Sequence, residues 1–338
     1  QPSWVIQSSF PNGPSGAFIA SISEGPGQVA VLIDGSPPHL IEFAESGASE
    51  HPIDIGAALP ASLRLYLDET SKLAAFGISS GATPEIVTLS DQSGTLVAAS
   101  TGVTLDATEY ATAGGPDGAA VWMRRSDGWW RAQPTTGTWS VDKGPITDPE
   151  PSEPLHASGA TSDGSLYIAY GVDTSFGFDD TETPYLKRLP PSGSSFDSAV
   201  VAGGATDDYL TSLSLEGRGR GLVVHYCGSD IDPFGLSGTD YTCFTGLRPS
   251  DGDTYESAPK EGVKARHALS KTSALVSACL DDNALNLRDT TASDTDPGEN
   301  VVFTCREPVA LEIDSDDRPI FVVREGLLLQ SLVRRATQ

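Results

Sequence analysis

Apolar residues recur along the chain in seven short runs, and turns rich in Gly, Asp or Ser separate them. In the fourth run, the turn Asp163-Gly164-Ser165 leads into Leu166-Tyr167-Ile168-Ala169-Tyr170. One anchor residue from each run gives the series Val29, Leu73, Ala120, Leu166, Leu222, Leu275 and Ile320. Successive anchors lie 44, 47, 46, 56, 53 and 45 residues apart. This period is typical of repeats of four β-strands, so the sequence predicts seven four-stranded units.

The anchor runs are almost continuously apolar instead of alternating with polar residues. A strand with this pattern is buried on both faces, as it is when sheets pack face to face around an axis. The last copy supplies three strands before the chain stops, and the segment Trp4-Val5-Ile6-Gln7-Ser8 offers a fourth. We therefore predict an all-β ring over residues 1–338, a single domain whose last unit is closed by the N-terminal strand.

The repeat makes the whole chain resemble a seven-bladed β-propeller. The subfamily stays open, because the Trp-Asp and Gly-His signatures of WD40 repeats are absent. Ser126-Asp127-Gly128-Trp129 lacks the spacing of a sialidase Asp-box, and the glycine pairs 114–115 and 203–204 are similar to those of kelch repeats in only two copies. No family activity follows from this resemblance.

Charge and composition narrow the function classes. The net charge of −25 disfavours nucleic acid and anionic lipid as partners. No apolar run is long enough to span a membrane, and the start at Gln1-Pro2-Ser3 without a leader indicates a mature or trimmed product. The 35 Gly and 24 Pro are spread evenly, which favours short strands and turns over long helices.

Four cysteines indicate an oxidising compartment. None has the C-x-x-C spacing of a zinc or redox site, so disulfides are the preferred interpretation, with three pairings possible. Cys227 and Cys243 flank an insertion, whereas Cys279 and Cys305 end two parallel strands of the sixth copy. Because the chain also has only one Met and no N-x-S/T sequon, we predict a secreted, periplasmic or cell-surface protein.

Two adjacent copies lengthen the loop between their second and third strands, at residues 172–183 and 228–240. In a propeller these loops lie on one rim, where binding residues are commonly found. The predicted binding residues are acidic and aromatic: Asp173, Phe176, Phe178, Asp179, Asp180, Asp230, Asp232 and Phe234. Such carboxylates are possible calcium ligands, but the EF-hand spacing is absent, so we predict no metal and no other cofactor.

The third copy contains four of the five tryptophans, Trp122, Trp129, Trp130 and Trp139. Packing between units is the simplest interpretation. Trp129 and Trp130 are neighbours on a strand, so they point to opposite faces, and an exposed indole would offer a surface for a sugar or a partner.

A central channel is the other candidate site. Residues at the starts of the inner strands are expected at its mouth: Arg64, Glu109, Tyr110, His156, Tyr209, Arg266 and His267. Arginine there is suited to bind an anion or carbonyl, and histidine to act as acid or base. Two other motifs are predicted to be turns, because no helix is predicted after either: Gly77-Ile78-Ser79-Ser80-Gly81 and Gly217-Arg218-Gly219-Arg220-Gly221.

Two functions are carried forward from the sequence, and a purely architectural role in an envelope assembly stays open as a third. The leading hypothesis is an exported, non-catalytic binding module that recognises a protein or glycan through the two rim loops. The alternative is a propeller hydrolase or lyase acting on a carbohydrate or lactone at the channel mouth.

Overall fold

A computed structural model describes residues 4–147, 155–173, 182–202, 209–231, 239–250, 255–257, 266–270, 272–280, 284–291, 299–302 and 307–334. Within these ranges the chain forms seven sheets, which we number as blades 1 to 7 along the chain. The protein is a seven-bladed β-propeller, as the sequence predicted.

The strands of the N-terminal half follow one another as hairpins. β1 (Trp4–Phe10) belongs to blade 7. The strands of blade 1 are β2 (Phe18–Gly25), β3 (Gln28–Ile33), β4 (His39–Ala44) and β5 (Gly47–His51). Blade 2 contains β6 (Ile53–Asp54), β7 (Arg64–Leu67), β8 (Leu73–Ile78), β9 (Glu85–Gln92) and β10 (Thr95–Thr104), with a short 3-10 turn at Pro60–Ser62. Blade 3 contains β11 (Glu109–Gly115), β12 (Gly118–Arg125), β13 (Gly128–Thr135) and β14 (Thr138–Ile146).

The C-terminal half repeats this order. Blade 4 contains β15 (His156–Ala160), β16 (Leu166–Asp173), β17 (Glu182–Leu189) and β18 (Val200–Val201). Blade 5 contains β19 (Tyr209–Arg218), β20 (Gly221–Ile231), β21 (Thr239–Pro249) and β22 (Tyr255–Ser257). Blade 6 contains β23 (Arg266–Leu269), β24 (Ala274–Leu280), β25 (Ala284–Asp289) and β26 (Glu299–Val302). Blade 7 contains β27 (Glu307–Ile313), β28 (Pro319–Glu325) and β29 (Leu328–Arg334).

Every predicted anchor lies on the second strand of a blade, counted outward from the axis of the ring. These strands alternate their side chains between two neighbouring blades: Leu166 and Ile168 pack against blade 3, whereas Tyr167 and Ala169 pack against blade 5. The buried apolar side chains of the described residues form seven such clusters, each shared by two adjacent blades. Burial on both faces therefore explains the continuous apolar runs.

The ring closes where the two ends of the chain pair. β1 runs antiparallel to β29 from Trp4↔Arg334 to Phe10↔Leu329, which confirms the predicted closure. A hydrogen bond of 2.8 Å joins the Ser8 and Ser331 hydroxyls.

Blade 2 differs from the predicted four strands because it has a fifth. β6 pairs in parallel with β10, Leu96 opposite Ile53, where the chain crosses from blade 1. Ile53 and Leu96 are both buried in the cluster between blades 1 and 2. The crossing segment thus covers the outer edge of β10.

The tryptophans of blade 3 mostly pack between blades, as the simplest interpretation expected. Trp122 and Trp129 are buried against blade 4, and Trp139 against blade 2. Trp130 points to the opposite face from Trp129 and is partly exposed. Its indole N–H donates to Asp127, 2.9 Å away, and the Arg125 guanidinium lies over its ring. Its surface is therefore already engaged by the protein.

Within the described ranges, no helix has the length and apolar character needed to cross a membrane.

Deleting residues 1–10 tests the closure. The deletion removes the outer strand of blade 7 and leaves the β29 edge unpaired, so we expect a lower unfolding temperature and self-association through that edge. Size-exclusion chromatography and thermal unfolding measure both effects. A chain lacking only residues 1–3 is the control. Equal behaviour of the two truncated chains would contradict the pairing of β1 with β29.

Candidate functional site

The two predicted rim loops are shorter than expected because strand pairing continues into them. In blade 4, β16 and β17 pair as far as Asp173↔Glu182, so only residues 174–181 lie beyond the ladder. In blade 5, β20 and β21 pair as far as Ile231↔Thr239, which leaves residues 232–238. The predicted loop bounds 172–183 and 228–240 were therefore wrong, since both segments begin and end as paired strands. We call these two hairpins the rim hairpins.

A disulfide braces the blade 5 rim hairpin. Cys227 and Cys243 face each other directly across β20 and β21, with Cα atoms 4.0 Å apart, and they form a disulfide. Four residue pairs continue beyond it to Ile231↔Thr239. The other predicted pair lies outside the described residues, because Cys305 and the side chain of Cys279 are not described.

The blade 4 rim hairpin is hydrogen-bonded to the inner strand of blade 5. The Glu182 carboxylate, at the end of the β16–β17 ladder, accepts a hydrogen bond of 2.7 Å from the backbone N–H of Leu210 in β19. A cross-strand aromatic pair lies in each hairpin: Tyr170 stacks on Tyr185 in blade 4, and Tyr226 on Phe244 in blade 5. These pairs stabilise the two ladders below their tips.

The structure locates only part of the predicted rim residues. Asp173 is exposed at the end of β16. Asp230 belongs to β20, but its side chain is not described. The remaining predicted binding residues lie outside the described ranges: Phe176, Phe178, Asp179, Asp180, Asp232 and Phe234. Among the described residues, no group of three or more His, Cys, Asp or Glu side chains is placed to hold a metal ion.

The inner strands pack closely against one another around the axis of the ring. They run in order around it, β2, β7, β11, β15, β19, β23 and β27. A Cβ atom on Gly217 of β19 would lie 1.8 Å from the Ala160 carbonyl oxygen of β15, and one on Gly114 of β11 would lie 2.4 Å from the Leu65 carbonyl oxygen of β7. The inner strands also line a cavity of about 40 Å³.

Polar side chains of five blades line this cavity: Ser21, Arg64, Glu216, Arg218, His267 and Glu312. Arg218 lies at the centre of the cluster. It forms an ion pair with Glu216 at 2.8 Å and stacks over the Phe18 ring, whose centroid is 5.2 Å away. Arg266, a predicted channel residue, lies at the same distance from Phe18.

Arg218 was missed because its motif, Gly217 to Gly221, was predicted to be a flexible turn. The structure places Gly217 and Arg218 at the end of β19 and Gly221 at the start of β20, so only Gly219 and Arg220 form the turn. Arg220 extends to the blade 3 turn, where both Asp117 carboxylate oxygens accept hydrogen bonds at 2.6 and 2.7 Å. The motif therefore supplies one channel residue and one interblade ion pair.

Burial changes the protonation of the channel residues. It lowers the pKa of the His267 imidazole to about 4, and the nearby charges of His225, Arg218 and Arg266 act in the same direction. Burial raises the pKa of the Glu312 carboxyl, which accepts a hydrogen bond from the Ser21 hydroxyl. At neutral pH the channel therefore holds an uncharged imidazole.

His156, another predicted channel residue, lies in a separate network. Its Nε2 atom lies 3.0 Å from Nη1 of Arg124 and 3.3 Å from the Glu109 carboxylate, and the tautomer decides which of the two contacts is a hydrogen bond. The Ser158 hydroxyl lies nearby but donates to Glu109 at 2.5 Å instead of to the imidazole. Ser158 and His156 are thus not arranged as a nucleophile and its base.

The last two channel predictions have different outcomes. Tyr110 is the second residue of β11, and its exposed side chain lies outside the cavity lining. Tyr209 begins β19, but its side chain is not described. Arg64 and His267 are therefore the two predicted channel residues that line the cavity.

No protein-family model matches this chain, and a search of curated proteins found no match. Among solved structures, the chain is similar to the propeller of Dos1, with 11% identity, a TM-score of 0.45 and coverage of 98% of this chain and 95% of that one. The chain is also similar to the WD40 β-propeller domain of Doa1, with 9% identity, a TM-score of 0.46 and coverage of 98% of each chain. A third similar structure is the β-propeller domain of the Trilobed protease from Pyrococcus furiosus, which is described as having an open velcro topology. It has 8% identity and a TM-score of 0.49, with coverage of 97% of this chain and 95% of that one.

The His267→Gln variant tests the burial of the channel imidazole. Its native pKa of about 4 lies below the ordinary 6.5, so the unfolded chain binds the proton first. The stability contributed by neutral His267 is complete above pH 6.5 and is lost as the pH falls towards 4. Between pH 6.5 and pH 4, the free energy of unfolding of the variant should therefore fall by up to about 3 kcal/mol less than that of the wild type.

Urea unfolding across this pH range measures the effect. His39→Gln, on the outer part of blade 1, is the control and should leave the pH dependence of wild-type stability unchanged. If His267→Gln also leaves it unchanged, the imidazole is not desolvated in the channel.

Proposed function

We propose that this protein is an exported, non-catalytic binding module that recognises a protein partner through the two rim hairpins. The observation that carries the proposal is the disulfide-braced extension of β20 and β21. Each of these strands has 11 residues, whereas the corresponding hairpin strands of blade 1 have 6. Four residue pairs beyond the disulfide correspond to roughly 13 Å of additional hairpin. A rigid projection of this kind presents side chains with little loss of conformational entropy on binding.

The chemistry of the rim hairpins favours a basic partner. Residues 172–183 and 228–240 contain seven carboxylates and neither Lys nor Arg. They also contain three phenylalanines, Phe176, Phe178 and Phe234. Acidic side chains steer a positively charged surface towards the rim, and aromatic side chains are common binding anchors. We therefore favour a protein surface with Lys or Arg beside apolar groups, and a glycan is the second possibility for the same site.

Export is supported by the Cys227–Cys243 disulfide, since such bonds persist mainly in oxidising compartments. A non-catalytic role is supported by the channel. Its cavity of about 40 Å³ is too small for the ring of a sugar or lactone, and the Ser158 hydroxyl donates to Glu109 instead of to His156. These observations favour binding over the hydrolase or lyase alternative.

Replacing the hairpin tips tests the proposal. In the tip variant, residues 174–181 and residues 232–238 are each replaced by Asn-Gly, which closes a two-residue hairpin turn. Wild-type protein is first screened against a display library of random peptides and against a glycan array. We expect basic peptides with aromatic or aliphatic residues to be selected, and their affinity to fall as salt is added.

The tip variant should lose at least a hundredfold in affinity for the selected ligand, measured by titration calorimetry. The matched control carries the same Asn-Gly replacement at residues 80–83 of the blade 2 hairpin, on the same face, and should keep its affinity. Retained affinity in the tip variant would reject the rim hairpins as the binding site. Turnover of a glycan or lactone by wild type, abolished in Arg266→Ala, would favour the enzyme alternative.

A further inference from the structure

Arg64 differs from the other arginine of the channel cavity in its partners. Arg218 is paired with Glu216, whereas no carboxylate among the described residues lies within ion-pair distance of Arg64. Nη1 of Arg64 donates to the Ala61 and Leu63 carbonyls at 3.2 and 2.9 Å. Nε and Nη2 make no hydrogen bond within the described part of the protein. One edge of this guanidinium is therefore open.

Arg64 is only partly buried, so its open edge keeps contact with solvent. Desolvation nevertheless lowers the pKa of Arg64, which shows that its surroundings disfavour the charge. The two acidic residues in the cavity do not compensate it fully: Glu216 is engaged by Arg218, and burial favours the neutral form of Glu312. An anion on the open edge supplies the close counter-charge that Arg64 lacks.

We propose that the central channel binds a small carboxylate, held by the Nε and Nη2 atoms of Arg64 inside the cavity that Ser21, Arg218 and His267 also line. The two N–H groups on one edge of a guanidinium match the two oxygens of a carboxylate, and the pair of hydrogen bonds is planar and specific. Lysine does not reproduce this geometry.

The size of the cavity limits the ligand. Its volume of about 40 Å³ corresponds to about three water molecules. Formate or acetate fits this volume, and so does the terminal carboxylate of a longer acid that enters along the channel. Gly114 contributes to the space, because a Cβ atom on it would lie 3.1 Å from the Cβ of Arg64.

Thermal unfolding with sodium formate tests the proposal on the whole chain. The reference buffer contains no carboxylate and is matched in ionic strength with sodium chloride. Formate should raise the unfolding temperature of the wild type saturably, by roughly 3–5 °C at a hundred times the dissociation constant. Arg64→Met removes the cation, so this variant should not respond to formate.

Two further variants make the result specific. Arg64→Lys keeps the charge without the planar edge and should respond at least tenfold more weakly. Arg318→Met, an exposed arginine of blade 7 that is paired with Asp314 and Asp316, is the control and should respond as the wild type does. Comparison of formate with glutarate identifies the kind of ligand. If only formate raises the unfolding temperature, the site takes a free small acid. If both raise it, the site takes the end group of a larger acid.

Several results would overturn the proposal. They are the absence of a saturable formate effect on the wild type, an equal effect on Arg64→Met, or an equal effect of chloride. Crystals grown with formate that show only water at Arg64 would also reject it. Because the wild-type measurement alone decides the first of these, the test stands even if Arg64→Met fails to fold.

Discussion

The close approach of the inner strands is the constraint on which the rest of the ring depends. Where β19 meets β15, the backbone of Gly217 fills space that any side chain would require, since a Cβ would lie 1.8 Å from the Ala160 carbonyl oxygen. Gly221 packs against blade 6 in the same way, with a hypothetical Cβ 2.5 Å from the Cβ of Leu269. These contacts set the spacing of blades 4, 5 and 6.

A narrow channel has consequences for chemistry. Charged side chains that point into it lose water, so they either pair, as Arg218 does with Glu216, or change their protonation, as His267 does. The cavity has room for a small anion and not for a sugar ring. For a larger ligand we propose the rim face, where the blade 5 hairpin extends four residue pairs beyond its disulfide.

The sequence predicted those features that arise from repetition. The anchor runs gave the seven blades, because burial between two blades leaves an almost continuous apolar pattern in each second strand. The N-terminal strand was predictable because the last copy lacked a fourth strand. The Cys227–Cys243 disulfide could be proposed because the two residues flank one hairpin.

Other features depend on contacts between distant segments. The ladder from Gly228 to Ile231 has no strand-like pattern of its own, and its pairing follows from the opposing strand. The role of Arg218 was hidden because a run of glycines usually indicates a turn, whereas here Gly217 is required by the position of Ala160. Similarly, nothing local marks Arg64 as the arginine without a close carboxylate. Such properties become visible only when the relative positions of residues on neighbouring strands are known.

The stability of Gly217→Ala is the most direct test of this account. Its control is Gly81→Ala, in the blade 2 turn, where the nearest atom to a new Cβ would be 4.0 Å away. Urea unfolding should show that Gly217→Ala loses about 3 kcal/mol or more, because β15 or β19 must move, whereas Gly81→Ala changes stability by less than about 1 kcal/mol. Equal stability of the two variants would contradict the close approach of the inner strands, and with it the narrow channel.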